Sequence, residues 1–442
     1  MHTDIQGPSL VRGTSVVPGD KSICHRLLIL AALCPGETHI QNWPNAEDCQ
    51  RTREAIEALG ATTTLTHGHH RLNVRGVGMT LQAPSGPIDC GESGTTLRLI
   101  AGVLAGQPFT STLEASPSLA RRPMRRIVDP LRQMGATIDG MEQHGELYAP
   151  LTIQGKRPLR AIRYELPVAS AQVKSAILLA GLFAKGSTTV IESQSTRNHT
   201  ERCLRFFGVS PRIDGTSITI TPAPLKSPGE AVVPADISGA AFFIVAAAAQ
   251  PGSQLEVMLV GLNPTRTGCL QVLDAMGADI QRHGQGPEGE QFGTVRVAGR
   301  QLKAVTVTSE QVPSLIDELP VLLVAATQAT GTSRFEGIGE LRVKETDRIA
   351  SMLDGLGRLG ASIRLDGQDT VVVDGGRPLR GAAVDAAGDH RTAMSLAIAG
   401  LFAQGTTTIR GAECVAKSFP DFFQRLREVT GPSTVKTVDS AG

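Results

Sequence analysis

Residues 19–40 read GDKSICHRLLILAALCPGETHI: a polar start, a long apolar run, a Pro-Gly stop and then a Thr/Ile strand. A helix that is apolar nearly all round has to be enclosed on every side. The glycine behind it permits the left-handed backbone angle at which many helices end. The same order recurs six times, in LLILAALCPGETHI (27–40), LIAGVLAGQPFTSTL (99–113), AILLAGLFAKGSTTVI (176–191), FFIVAAAAQPGSQLEV (242–257), LPVLLVAATQATGTSRF (319–335) and MSLAIAGLFAQGTTTI (394–409). Gly36, Gly106, Gly186, Gly252, Gly331 and Gly405 are expected to act as the helix stops.

After each of the first five copies comes a second helix with one polar face, closing on EALGA (57–61), RQMGATI (132–138), RFFGVS (205–210), DAMGADI (274–280) or GRLGASI (357–363). A strand, a turn and a further strand follow, so one unit reads β-α-β-α-β-β. Three copies would bundle their apolar helices, parallel and side by side, with sheets outside. The fold class is therefore α/β without a Rossmann sheet: two similar domains of three repeats each. The spacing of the third and fourth copies predicts a discontinuous domain of residues 1–19 plus 234–442, holding copies four to six and the N-terminal strand. Residues 20–233 form the inserted domain with copies one to three.

With 442 residues the chain is long for a single core, in keeping with two domains. The 43 Lys and Arg against 42 acidic residues give a formal charge of +1, which speaks against a nucleic-acid coat or a polybasic membrane binder. Aromatic residues make up 3%, too few for base-stacking platforms. The cysteines at 24, 34, 49, 90, 203, 269 and 414 stand singly and read as buried apolar residues of a reducing compartment. MHTDIQGPSL resembles neither a signal nor a transit peptide, and no apolar run reaches the roughly 20 residues of a membrane span. The expectation is a soluble cytoplasmic protein.

Lys21 is a cation at a helix start, where the positive end of the macrodipole disfavours it by about 0.3–1 kcal/mol. The six buried helices open on GDKSICHR, GESGTTLR, VASAQVKS, PADISGAA, SLIDELPV and AGDHRTAM, rich in capping residues and glycine. If those helices run parallel, their exposed amides form an anion trap at one end. Lys21, Arg26, Arg98 and Arg391 add positive charge to it, and the connectors LARRPMRR (119–126), STRNHTE (195–201), VKETDRI (343–349) and VAKSFPDF (415–422) add more. A ligand with more than one phosphate or carboxylate fits this pattern. Singly, each motif also has a plainer reading: RRPMRR as solvated basic surface, VKETDR as a capping and ion-pair sequence. The histidines of THGHHRL (66–72) read as a solvated turn, and no metal site is expected.

In order, VVPGDKSICHR, CGESGTTLRL, ARRPM, PVASAQVKSAILLAGL, TRNHTE, ADISGAAFF, IDELPVLLVAA, VKETDRI, DHRTAMSLA and KSFPDF resemble the 3-phosphoshikimate 1-carboxyvinyltransferase (EPSP synthase) family of enolpyruvyl transferases along essentially the whole chain. The resemblance implies the inside-out α/β barrel of that family, closure of the two halves around the ligands, and a monomer. It also implies the family's reaction: enolpyruvyl transfer from phosphoenolpyruvate to shikimate 3-phosphate, on the route to chorismate and aromatic amino acids. No cofactor, nucleic acid or membrane partner is implied.

By the same resemblance, Lys21, Ser22, Arg26, Ser170, Gln172, Arg197, Asp317 and Lys344 would bind shikimate 3-phosphate. Lys21, Gly94, Arg122, Gln172, Arg348, Arg391 and Lys417 would bind phosphoenolpyruvate. Asp317 would take the proton of the 5-hydroxyl, and Glu345 with Lys21 would serve protonation at the methylene carbon. The chain departs from the usual motifs at Glu92, often Asn, at Ala171, often a second Ser, and at Asn198, often Asp. A UDP-N-acetylglucosamine 1-carboxyvinyltransferase is the nearest rival, but that family typically carries a cysteine in the loop where LARRPM stands, and no cysteine falls in residues 110–130. A non-catalytic clamp on nucleic acid fits the near-zero net charge poorly.

Overall fold

The computed structural model describes residues 1–66, 71–285 and 289–438. The histidines 67, 69 and 70 of the THGHHRL turn lie outside the described residues. The chain divides into two compact units. One joins residues 1–18 to the described residues of 235–285 and 291–438; the other is Gly19–Pro234 with Gly289 and Glu290.

The helices α1 (Lys21–Ala32), α3 (Gly94–Leu104) and α5 (Ala171–Gly181) of the second unit alternate in the chain with α2 (Glu47–Ala58), α4 (Arg125–Gln133) and α6 (His199–Phe206). The first unit repeats the scheme with α7 (Ile237–Ala248), α9 (Leu319–Thr327) and α11 (His390–Phe402) alternating with α8 (Gly268–Ala275), α10 (Arg348–Arg358) and α12 (Phe422–Thr430). The odd-numbered helices are the apolar runs, and they are buried on nearly every face: all residues from Ile23 to Ala32 in α1, and all of α9 and all but Phe402 of α11. The α3 helix packs on both α1 and α5, whereas α7, α9 and α11 pack on one another. Each buried Leu, Ile or Val contributes about 1.5–3 kcal/mol, so these helices are the two cores.

Among the described residues, six four-stranded sheets of one pattern stand around the helices, each a parallel pair continued by two antiparallel neighbours. The parallel partner of a copy's own strand precedes its buried helix in four cases. The other two are exchanged. Arg12–Val16, which leads into α1, pairs with Gln254–Gly261, while Glu230–Val232, which leads into α7, pairs with Pro35–Gln41. The sixth sheet is completed by His2–Gly7, set antiparallel between Gly405–Arg410 and Val435–Val438. These pairings are why the chain crosses between its units at residues 18–19 and 234–235.

Five of the six expected helix-stop glycines adopt the left-handed angle, from φ 91° at Gly405 to 109° at Gly186. Gly106 does not: it is required for space, because a Cβ there would lie 2.4 Å from the Phe183 ring. The seven thiols are all unpaired, and burial pushes Cys34 and Cys90 up to about 12. Among the described residues no helix is long and apolar enough to cross a membrane.

Candidate active site

In the unit built on α1, α3 and α5, the three helix starts are tied together by side chains of their first two turns. Asp20, Ser93 and Ser170 cap α1, α3 and α5, each accepting from a backbone amide three residues on, at 3.1, 3.2 and 3.4 Å. His25 Nδ1 is 2.6 Å from Thr52 Oγ1, which is 2.6 Å from Thr96 Oγ1 in the first turn of α3. Arg98 Nη1 donates to Gln172 Oε1 at 2.6 Å, and Gln172 Nε2 donates to Thr95 Oγ1 at 3.0 Å. Because arginine can only donate, this pair fixes which way round the Gln172 amide lies. The amide ends of three buried helices therefore sit on one side of this unit.

Lys21 is the first residue of α1, and its Nζ forms a 2.7 Å ion pair with Asp48 of α2. Its neighbour Ser22 accepts from Arg26 Nη1 through the backbone carbonyl at 2.7 Å. Arg26, 3% exposed, also donates to Thr200 Oγ1 at 2.7 Å and Ser175 Oγ at 2.8 Å. Burial lowers its pKa; Cys203, Glu201 and Asp20 oppose that shift and Arg197 adds to it. Arg197 stands in the loop before α6, half-buried. Gly94 opens α3, and a Cβ there would meet Arg98 Nη1 at 3.1 Å and Arg122 Nη1 at 3.4 Å. Two guanidiniums thus converge on a backbone left bare. Of the departures, Glu92 is exposed in the turn before α3, Ala171 opens α5, and Asn198 accepts from Arg202 Nε at 3.1 Å without capping α6.

The other unit gathers its helix starts in the same manner with different chemistry. Asp236 caps α7, while Ser238 bonds the Glu318 carboxylate before α9 and accepts from Arg266 Nη2 at 2.7 Å. The α9 helix lacks a side-chain cap and carries Pro320 in its first turn, where the missing amide hydrogen costs nothing. Asp389 caps α11. Arg348, 1% exposed at the first position of α10, donates to Asp389 at 2.8 Å, contacts Glu345 closely, and lies 3.5 Å from Asp317. Burial by itself would lower the Arg348 pKa, but Glu345, Asp389 and Asp317 outweigh it and hold the guanidinium above the usual arginine range. Arg391 donates to the Asp317 carbonyl at 3.2 Å, with Nε 3.8 Å from the Asp317 carboxylate.

Lys344 follows the 3-10 turn Gly339–Val343 and is half-buried as a residue, yet desolvation lowers its ammonium pKa. Asp317, Glu340 and Glu345 oppose that shift and Arg348 reinforces it. Lys417 ends the turn Ala412–Lys417 and reaches the Gly388 carbonyl at 3.3 Å. That turn is followed by Phe419 and Phe422, whose rings meet Phe243 tilted and edge-on, with centroids 5.9 and 5.7 Å away.

Thus Lys21, Ser22, Arg26, Gly94, Arg122, Ser170, Gln172 and Arg197 belong to one unit, and Asp317, Lys344, Glu345, Arg348, Arg391 and Lys417 to the other. Sequence reasoning missed Asp48, Thr200 and Asp389, the partners of Lys21, Arg26 and Arg348, and Glu318, which meets Ser238 and Arg266. Asp389 and Glu318 do stand inside quoted helix starts, where a charged residue could have been read as more than a cap.

A sequence profile of the EPSP synthase (3-phosphoshikimate 1-carboxyvinyltransferase) family matches residues 5–426. Relatives named 3-phosphoshikimate 1-carboxyvinyltransferase include one from Anaeromyxobacter sp. (strain Fw109-5), 48% identical over 95% of this chain and 96% of its own length. Another, from Gloeobacter violaceus, is 49% identical over 94% of this chain and 96% of its own. A solved EPSP synthase from Acinetobacter baumannii superposes with a TM-score of 0.89 at 40% identity, covering 98% of this chain and 99% of that one. Profile, relatives and solved structure agree across nearly the full length, and the chain belongs to the EPSP synthase family.

Proposed function

We propose that this protein transfers the enolpyruvyl group of phosphoenolpyruvate to the 5-hydroxyl of shikimate 3-phosphate, releasing 5-enolpyruvylshikimate 3-phosphate and inorganic phosphate. The reaction adds an alcohol across an enol phosphate and then expels phosphate. It therefore needs a group to take the hydroxyl proton, a group to give one to the methylene carbon, and fixed cations for the carboxylates and phosphates. The observation that carries the reading is the gathering of capped helix starts with buried arginines in both units: Arg26 and Arg98 in one, Arg348 and Arg391 in the other.

In this reading Lys21, Ser22, Arg26, Ser170, Gln172, Arg197 and Lys344 bind shikimate 3-phosphate. Lys21, Gly94, Arg122, Gln172, Arg348, Arg391 and Lys417 bind phosphoenolpyruvate. Asp317 accepts the hydroxyl proton; two arginines at 3.5 and 3.8 Å support its orientation. Glu345 and Lys21 serve proton transfer at the methylene carbon. The fixed amide of Gln172 keeps an N–H available for a ligand oxygen. Each unit is taken as an inside-out barrel, and the enzyme as a cytoplasmic monomer working on two small substrates.

Phosphate release assayed with both substrates, and with each omitted, tests the reading. Release that needs both is expected. Release that depends on a UDP-sugar and ignores shikimate 3-phosphate would overturn it.

A further inference from the structure

Helix α5 is apolar beyond its start except for Lys174 and Ser175, and Lys174 is 1% exposed. An ammonium buried without partners would cost several kcal/mol. Its partners are two carboxylates buried as deeply, Glu192 at 3.0 Å and Glu201 at 2.8 Å. One lysine against two glutamates leaves an excess of negative charge, and the influence of Glu201 reaches the Arg26 guanidinium. Well-packed apolar side chains would commonly serve stability as well or better than such a cluster, so its geometry is the informative part.

Glu192 follows the strand Thr188–Ile191, and its second oxygen accepts from the Thr196 amide at 3.2 Å and from the Thr196 hydroxyl. Glu201 lies in the first turn of α6. Lys174 therefore fastens both ends of segment 192–201 to α5, the helix that begins with Ser170 and Gln172. Thr200 adds a parallel tie, bonded to Arg26 at 2.7 Å and to Ser175 at 2.6 Å. Arg197 stands inside the fastened segment, directly after Thr196.

We propose that Lys174 is a positioning residue for shikimate 3-phosphate: by holding Glu192 and Glu201 it sets the loop that presents Arg197, in register with the starts of α1 and α5. The proposal rests on the assignment of Arg197 to that substrate. Loosening the clamp costs shikimate 3-phosphate the Arg197 guanidinium while leaving Gly94 and Arg122 as they are.

The test uses the full-length enzyme as Lys174→Met, Arg197→Ala and the double variant, with KM and kcat for both substrates and direct calorimetric binding of shikimate 3-phosphate. Lys174→Met is expected to raise the KM for shikimate 3-phosphate about tenfold or more, with the KM for phosphoenolpyruvate within about twofold. In the Arg197→Ala background it should add almost nothing, since residues acting through one another are non-additive. Removing the cation leaves two buried carboxylates and can prevent folding, so Glu192→Gln is measured alongside; it keeps the side-chain volume and is expected to show the same split at smaller size. Equal losses for both substrates, additive effects in the double variant, or no effect in a folded Glu192→Gln would overturn the positioning role. An Arg197→Ala enzyme that binds shikimate 3-phosphate normally would overturn the ligand assignment beneath it and the proposal with it.

Discussion

The Arg348 guanidinium meets Asp389 with Nε 2.8 Å from one carboxylate oxygen, while the other oxygen of Asp389 caps α11 through the amides of Arg391 at 2.7 Å and Thr392 at 3.3 Å. One side chain thus joins the start of α10 to the start of α11. Both groups are almost wholly buried, so neither can fall back on water if the other is removed.

Asp389→Ala is expected to destabilise the enzyme by about 3 kcal/mol or more, since it strips a partner from a buried charge. Glu345 and Asp317 remain near Arg348 and limit the loss. Asp389→Asn can keep the cap through its amide oxygen while its NH2 faces the Arg348 Nε–H and loses that bond with the charge, so it should cost about 1 kcal/mol less than alanine, the typical value of an N-cap. Urea unfolding of the two variants measures the difference. Equal losses would show that the cap contributes nothing at this helix.

Gly94→Ala separates binding from folding. The added Cβ would press on the tips of Arg98 and Arg122, flexible groups that can yield, and an alanine near a helix start is no worse for stability than glycine. The prediction is a KM for phosphoenolpyruvate raised several-fold, with a thermal midpoint unchanged or slightly higher. An unchanged KM would remove Gly94 and Arg122 from the substrate's surroundings.

Much of this architecture is legible in the sequence because it is local. The apolar helices and their Asp or Ser caps declare themselves over spans of a dozen residues, and Lys21, Arg26, Arg348 and Arg391 fall on helix starts for that reason. What is illegible is pairing at a distance. Nothing near Glu230–Val232 reveals that it lies beside Pro35–Gln41, or that Arg12–Val16 lies beside Gln254–Gly261. Likewise Asp48 is an ordinary first-turn acid of α2 until the fold brings it to Lys21. Gly106 looked like another helix stop because a glycine needed for space and one needed for its backbone angle read alike. Lys174 did leave a signal, a lysine within an apolar helix, but its two glutamates lie 18 and 27 residues further on.

His25 should make the enzyme acid-sensitive. It is 1% exposed, and burial lowers its pKa to about 3; Lys21 and Arg26 add to the shift, and Asp48 and Asp20 oppose it. Between pH 6.5 and about 3 the unfolded chain binds a proton that the folded one refuses, so stability falls as pH falls through that window. The slope approaches about 1.4 kcal/mol per pH unit for this one group. In His25→Gln, which can still bond Thr52, urea midpoints measured from pH 6 to pH 4 should decline less steeply. Parallel declines in the two proteins would mean that other groups carry the acid response.

Lys21 and Asp48 supply the sharpest test of the site. Their 2.7 Å pair is only partly shielded, at 15% and 23% exposure, so an incoming anion can reach the lysine but has to share it with a carboxylate. On the role proposed for Lys21, Lys21→Met should lower kcat/KM at least about a hundredfold, the scale for losing one well-placed donor to developing charge. Lys21→Arg should not restore it, because a planar fork replaces a compact ammonium. Asp48→Asn acts in the opposite sense on ground-state binding. With the competing charge gone, inorganic phosphate should bind several-fold more tightly, most visibly at low salt where the surface part of the interaction is least screened. Turnover in that variant should fall less than in Lys21→Met, since the ammonium remains. Phosphate competition and steady-state rates, measured side by side, decide the matter: near-normal turnover in Lys21→Met would remove that residue from the chemistry.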